Sequence, residues 1–315
     1  MAQFGVVLAT FGSAVTADDV PAYLSSVRGG REVPADLIDE FRRRYDLIER
    51  SPLIDITRAQ GRELQAVLDS TRGTDTTVVD VGMLHSNPTL AHALDTVHAR
   101  GAQRIVVIVL APQYSPIILA GYERSVAAWS ERHPDVDVHI AGAWHLIPEW
   151  VAALAERVTE ALDALDASVR ETIPIIFTAH SLPRPVVDRD PGYITQLRDT
   201  AAAVAGALGL DEARWSFAYQ SAGHTPEEWL TPDVKDVFPG FRNAGITEVL
   251  IVPLQFLADH LEILYDIDIA AQEEAVEAGI TMHRIALPNT QPAFIHALAA
   301  VVEREREGAA SAAGI

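Results

Sequence analysis

Eight stretches of this chain are short, rich in β-branched residues and apolar almost without a break: 5–10, 77–82, 104–111, 136–142, 173–178, 215–219, 248–254 and 281–286. They lack the in–out alternation of a strand with one wet face, so they predict strands buried on both sides. Helical stretches lie between them, over 18–28, 34–48, 88–100, 119–132, 148–167, 191–208, 234–244, 258–278 and 290–308. Alternation of this kind specifies parallel sheets of the α/β class. A length of 315 residues allows one large domain or two of about 150 residues.

A faint internal echo favours two. G-A-Q-R-I-V-V-I-V-L from Gly101 resembles G-I-T-E-V-L-I-V-P-L from Gly245, and L-A-T-F-G-S, ending at Ser13, sits in the same context as I-F-T-A-H-S, ending at Ser181. Each half feeds an apolar strand into Thr, two residues and Ser. The common grammar of strand–helix units can also produce such an echo. In open α/β sheets ligands bind beyond the carboxyl ends of the strands, so two facing lobes place a cleft among those loops.

Composition excludes several functions. Forty-four acidic residues against 24 basic ones leave a net charge of −20, the reverse of a nucleic-acid footprint and repulsive to an anionic membrane. The chain has no cysteine, which removes disulfides, thiolate metal sites, a cysteine nucleophile and cysteine-ligated iron–sulfur clusters. Met1 is followed by A-Q-F-G-V-V-L-A-T-F-G-S, without the basic start of a signal peptide, and the longest apolar run, 105–112, falls far short of a membrane span. These features predict a cytoplasmic protein with no integral membrane segment. No G-x-G-x-x-G or P-loop follows a strand, and G-x-S-x-G and H-E-x-x-H are missing.

The candidates for chemistry stand at strand ends. Strand 173–178 runs into A-H-S-L-P, which places His180 at a buried strand's carboxyl end; a lone histidine there also fits an ordinary satisfied core residue. Strand 248–254 leads into Q-F-L-A-D-H-L-E-I-L-Y-D-I-D, read as one long helix with Asp259, Glu262 and Asp266 on one face, Glu273 further along and Ala270 interrupting. An acidic stripe near a helix start also fits simple dipole complementation. A histidine and a glutamate from two strand ends can bind a divalent cation or shuttle protons. His85 and His260 are the other histidines placed to matter, and His224 lies just past strand 215–219. Arg28 and Arg31 in V-R-G-G-R, and Arg42, Arg43 and Arg44 before Tyr45, are local islands of positive charge suited to carboxylates or phosphates, or to capping helix ends. The apolar I-I-L-A-G-Y after A-P-Q-Y-S-P reads as the lip of a pocket for a flat ligand, or as packing between lobes.

The ordered set G-V-V-L-A-T-F-G-S, S-P-L-I-D-I-T, T-A-H-S-L-P, Y-Q-S-A-G-H-T-P-E-E-W-L-T-P-D-V and F-L-A-D-H-L-E-I-L-Y-D-I-D resembles the ferrochelatases, and most of all their bacterial coproporphyrin branch. The likeness runs from about Phe4 to about Val302. It implies two flavodoxin-like (Rossmann-like) lobes of the class II chelatase kind, each with a four-stranded parallel sheet, and a cleft between them. The lobes are expected at 1–147, joined by the C-terminal helix 288–315, and at 148–287. The tail from Glu303 is expected to fray.

By the same resemblance His180 and Glu262 are the metal-binding and proton-handling pair. Phe11, Arg28, Arg31, Arg44, Tyr45, Ser51 and Tyr122 fall at porphyrin-contacting positions, with His85, Asp259 and Asp266 as further candidates. It implies iron insertion into a porphyrin, coproporphyrin III first, with Fe²⁺ as substrate, no permanently bound cofactor, no iron–sulfur cluster and a monomer. Protoporphyrin IX, a sirohydrochlorin-type ring with cobalt or iron, and a non-catalytic haem carrier are the alternatives. Many coproporphyrin-type members have Tyr where this chain has Phe11, which cannot ligate iron. Ala270 stands where relatives have a carboxylate, and E-R-S-P-L lacks the Gly-Gly that often precedes S-P-L.

Overall fold

A computed structural model describes residues 3–74, 76–223 and 226–313. Its strands are β1 Gln3–Thr10, β2 Thr77–Met83, β3 Ala102–Val109, β4 Asp137–Ile140, β5 Ile175–His180, β6 Trp215–Gln220, β7 Glu248–Pro253 and β8 Thr281–Arg284. They form two four-stranded sheets, β2-β1-β3-β4 and β6-β5-β7-β8, parallel throughout. The second order is the first repeated, so the echo in sequence is a repeat of topology. It is the flavodoxin-like winding in which the central strand ends face a ligand crevice.

The helices are α1 Val20–Val27, α2 Ala35–Ile48, α3 Leu53–Arg72, α4 Leu90–Ala99, α5 Pro116–Ser130, α6 Pro148–Asp163, α7 Ala167–Arg170, α8 Arg184–Val187, α9 Gly192–Ala207, α10 Val234–Asn243, α11 Leu261–Leu264, α12 Gln272–Glu277 and α13 Pro292–Ala313. The largest core cluster is shared by both sheets. Val6, Leu8 and Val106 face into it from one, and Phe177, Leu250 and Val252 from the other. Between them lie Trp150 and Leu154 of α6, Ala201 and Val204 of α9, and Phe294, Leu298 and Val301 of α13. Trp150 meets Trp144 and Phe294 edge-on, each at 5.6 Å between centroids. Separate clusters seal the outer faces, with α4 and α5 over the first sheet and α10 and α12 over the second.

Three features depart from the sequence reading. Helix α3 was not anticipated, because its buried face includes Thr57, Gln60 and Gly61 among Leu53, Ile54, Leu64 and Leu68, which breaks the apolar period. Gly61 lies so close to β2 that a Cβ there would stand 2.6 Å from Val81 Cγ1. The single helix expected over 258–278 is instead α11, a π-helix at Asp266–Ala271 and α12. The amide of Ala270 accordingly donates to the carbonyl of Tyr265, five residues back.

The tail does not fray after Glu303; α13 continues to Ala313. It is anchored to the first sheet and its loops. Arg306 donates to Thr77 Oγ1 (2.7 Å) and stacks on Phe4, Arg304 donates to the Ala143 carbonyl (2.8 Å), and Glu303 pairs with Arg72. Glu305 pairs with His139 at 3.2 Å. Burial alone would raise the Glu305 carboxyl, but the bonds from His139 and Arg304 outweigh it and hold the pKa below its ordinary value. A carboxylate depressed on folding adds stability that is complete above its unfolded pKa and is lost as pH falls through the folded one. Glu305→Gln should therefore unfold earlier than wild type at neutral pH, with the gap closing in the acid range. Thermal melts from about pH 7 to about pH 3 check this, and curves that stay parallel would refute it.

Candidate functional site

The carboxyl ends of the two sheets meet across a cleft bridged on both flanks. On one side Ile118, at the start of α5, packs with Ala179, Tyr193 and Leu197. On the other, Leu261 of α11 packs with Ala14, Val20, Leu24 and Tyr45. His180 and Glu262 lie between.

His180 is the last residue of β5, paired in register with Gln220 of β6. Its backbone N–H donates to Gln255 Oε1 (3.1 Å), and the Gln255 amide donates to the Tyr193 hydroxyl. Nδ1 of His180 bonds the carbonyl oxygen of Ser181. A carbonyl only accepts, so Nδ1 carries a proton, and in the neutral ring it is Nε2 that offers the lone pair. Nε2 lies 3.7 Å from Glu262 Oε2. His260 repeats the arrangement, with Nδ1 on the Ala258 carbonyl at 2.8 Å and Nε2 at 3.8 Å from the same Glu262 oxygen.

These separations exceed a hydrogen bond, and the one between His180 and Glu262 leaves room for an ion held by that pair, since divalent transition metals bind imidazole and carboxylate at about 2.0–2.2 Å. The Glu262 carboxylate is walled by protein, though 42% of the side chain still meets solvent. Burial pushes its pKa up, and the facing His180 and His260 more than reverse this, bringing it down to about 2. Glu262 is thus an anion between two imidazoles. Among the described residues no group of three or more metal-binding side chains is arranged to hold an ion.

Two side chains absent from the sequence reading position this pair. Gln220, 2% exposed, accepts from Thr178 Oγ1 (2.7 Å) and donates to the Glu262 carbonyl (3.4 Å). Gln255 fixes the His180 backbone as described. Both glutamines sit at or just beyond a strand end, and that position was their only signal.

The acidic stripe is dispersed because its helix is broken. Asp259 precedes α11 and is held by Asn289 in two bonds (2.9 and 2.7 Å), with Arg284 at 3.7 Å. It does not join the His180–Glu262 pair. Arg284 also grips Asp268 through two 2.7 Å bonds, and so clamps the turn on both sides of Glu262. Asp266 faces Arg44 at 3.6 Å. Burial and the nearby Glu262 raise its pKa against the effects of Ser221 and Arg44.

The other sequence candidates separate by exposure. Phe11 is 46% exposed, edge-on to the His85 ring at 4.5 Å, and His85 Nδ1 meets Ser26 Oγ at 3.0 Å. The turn after Phe11 needs Gly12, whose φ is +95° and whose added Cβ would collide with Ser86 Oγ. Arg28 and Arg31 have no ion-pair partner among the described residues; Arg31 Nε donates to the Arg28 carbonyl (2.9 Å), and Arg28 Nε is unpartnered. Arg44 is already engaged by Glu40 and Asp266 and stacks on Tyr265 at 4.9 Å. Tyr45 and Ser51 are 1% and 2% exposed and both bond Ser13 Oγ, at 2.8 and 2.9 Å. Burial lifts the Tyr45 hydroxyl to about 12. Tyr122, 3% exposed, lies in the outer core of the first lobe. Tyr45, Ser51 and Tyr122, expected at ring-contacting positions, are thus all buried in this structure. His224 lies outside the described residues.

Arg284→Ala should cost about 2 kcal/mol, typical of hydrogen bonds to a charged group, read as a lower urea midpoint. An unchanged midpoint would show that the clamp does not hold the turn.

Residues 3–306 match the family described as Ferrochelatase. The chain is 36% identical to the ferrochelatase of Deinococcus radiodurans, covering 96% of this chain and 95% of that one. It is 35% identical to the coproporphyrin III ferrochelatase of Geobacillus thermodenitrificans, covering 95% and 94%. The solved structure of SirB from Bacillus subtilis with Fe³⁺ superposes with a TM-score of 0.57 at 16% identity, covering 99% of this chain and 98% of that one.

Proposed function

The chain belongs to the ferrochelatase family, enzymes that insert iron into a porphyrin, and from that premise we propose that its ring is coproporphyrin III and that His180 and Glu262 handle the iron and the ring's protons. The observation that carries the site assignment is the 3.7 Å approach of His180 Nε2 to the Glu262 carboxylate at a strand end in the cleft. The choice of ring is supported by relatives named coproporphyrin III ferrochelatase at 30–35% identity. It is supported also by Arg28 and Arg31, which have no carboxylate partner among the described residues. Coproporphyrin carries four propionates and protoporphyrin two, so free guanidinium forks favour the former.

Insertion exchanges two pyrrole protons for one Fe²⁺. A neutral imidazole with its Nε2 lone pair free can take the two pyrrole protons one after the other, passing each to solvent, and Glu262, whose pKa is held low, offsets the imidazolium that forms each time. The same two side chains offer Fe²⁺ a mixed nitrogen–oxygen pair in exchange for water. An incomplete ligand set releases the ion to the ring more readily than a closed cage. The cleft walls supply contacts remote from the pyrrole nitrogens, and such contacts can drive the ring out of plane. A protein of net charge −20 gathers Fe²⁺ over a long range and repels an anionic ring, so the ring needs local cations.

An anaerobic spectroscopic assay of Fe²⁺ insertion into coproporphyrin III, protoporphyrin IX and sirohydrochlorin, run in parallel, tests the ring. Fastest turnover with either of the others would overturn this choice. His180→Ala should lower insertion by about 10²–10⁴-fold, the scale of a lost general base, while porphyrin still binds; Glu262→Gln should do nearly the same. Near wild-type insertion in His180→Ala would refute the assignment. Arg31→Ala should raise KM for coproporphyrin about three- to tenfold, as for an exposed charge-assisted bond, and less for protoporphyrin. Equal effects on both rings would remove Arg31 from propionate binding.

A further inference from the structure

One side chain of the second lobe takes hold of the main chain of the first at the mouth of the cleft. Gln196, half-buried on α9, accepts from the backbone N–H of Tyr114 through Oε1 (2.8 Å) and donates to the carbonyl of the same residue through Nε2 (3.0 Å). The carboxamide thus satisfies both main-chain groups of a residue in the loop between β3 and α5, as a neighbouring strand would. One helical turn on, Thr200 Oγ1 accepts from Gln113 Nε2 at 3.2 Å, so two successive residues of the loop are tied to one helix face.

What the tie holds is the apolar lip. Tyr114 and Ile117 are 38% and 44% exposed. Ser115 caps α5 by accepting from the Ile117 amide (3.3 Å), and Ile118 packs against the cluster of Ala179, Tyr193 and Leu197, whose first member precedes His180 in the chain. A shift of the loop therefore moves the lip relative to the His180–Glu262 pair. Gln196 is polar and half-buried, so its replacement removes no apolar core side chain.

We propose that Gln196 is a positioning residue, a latch between the lobes that sets the distance from the apolar lip to His180 and so the depth at which the porphyrin ring sits. The inference deepens the porphyrin reading of the cleft and rests on it.

The test uses the full chain with metal-free coproporphyrin III, binding being followed by quenching of tryptophan fluorescence, alongside steady-state insertion. Gln196→Ala should weaken ring binding and raise the porphyrin KM about five- to tenfold, the scale of one or two lost hydrogen bonds. The KM for Fe²⁺, the turnover at saturation and the melting temperature should stay close to wild type. Gln196→Asn keeps the amide but is one methylene too short, and should follow Gln196→Ala. Wild-type ring affinity in both variants would overturn the latch alone, leaving the family reading intact. Equal loss of affinity for ring and iron would also overturn it, as general loosening. A wild-type protein that binds none of the porphyrins would overturn the reading of the cleft, and the latch with it.

Discussion

The constraint on which the rest depends is that a parallel sheet must be covered on both faces. This chain has two such sheets and meets the demand with an inner helical layer that serves both. Helices α6, α9 and α13 lie between them in one continuous core. Because that layer is common, the sheets cannot turn independently without opening apolar surface, at a cost of about 25 cal/mol per Å². The strand ends of both are thereby held facing one cleft. His180 and Glu262 depend on this, since one ends β5 and the other stands on α11, which lies beyond β7 and packs against elements of the first half.

Electrostatics then selects within an acidic molecule. Along the chain after β7, Asp259, Asp266 and Asp268 all stand near Glu262, yet each is matched by another group. Asn289 and Arg284 take Asp259, Arg44 takes Asp266, and Arg284 takes Asp268. Glu262 alone among these four is faced by imidazoles. Neutralising the neighbours with fixed guanidinium groups leaves one carboxylate able to exchange partners. That is the property the proposed iron-handling role of Glu262 requires.

Much of the fold was legible because burial on both faces leaves a signature that needs no partner to read: every strand was found within a few residues. The failures have physical causes. Helix α3 hid because its buried face carries Thr57, Gln60 and Gly61, placed there for hydrogen bonds and close approach to β2 rather than for apolar area. The helix over 258–278 was read as continuous because periodicity cannot register one extra residue per turn, and the π-helix at Asp266–Ala271 shifts every later side chain around the axis. The hydroxyls of Tyr45 and Ser51 both bond Ser13, a partner that the sequence order does not reveal.

By itself the sequence determined the α/β class, the duplicated halves, the absence of thiol chemistry, and His180 and Glu262 as the residues to examine. Those properties reside in local composition and in order along the chain. Only the tertiary structure decided which charges are paired, which candidates are buried, and that Gln255 and Gln220 bond the main chain of His180 and Glu262. Hydrogen bonds and ion pairs are set by distance in space. A side chain's availability depends on partners whose sequence separation carries no signal.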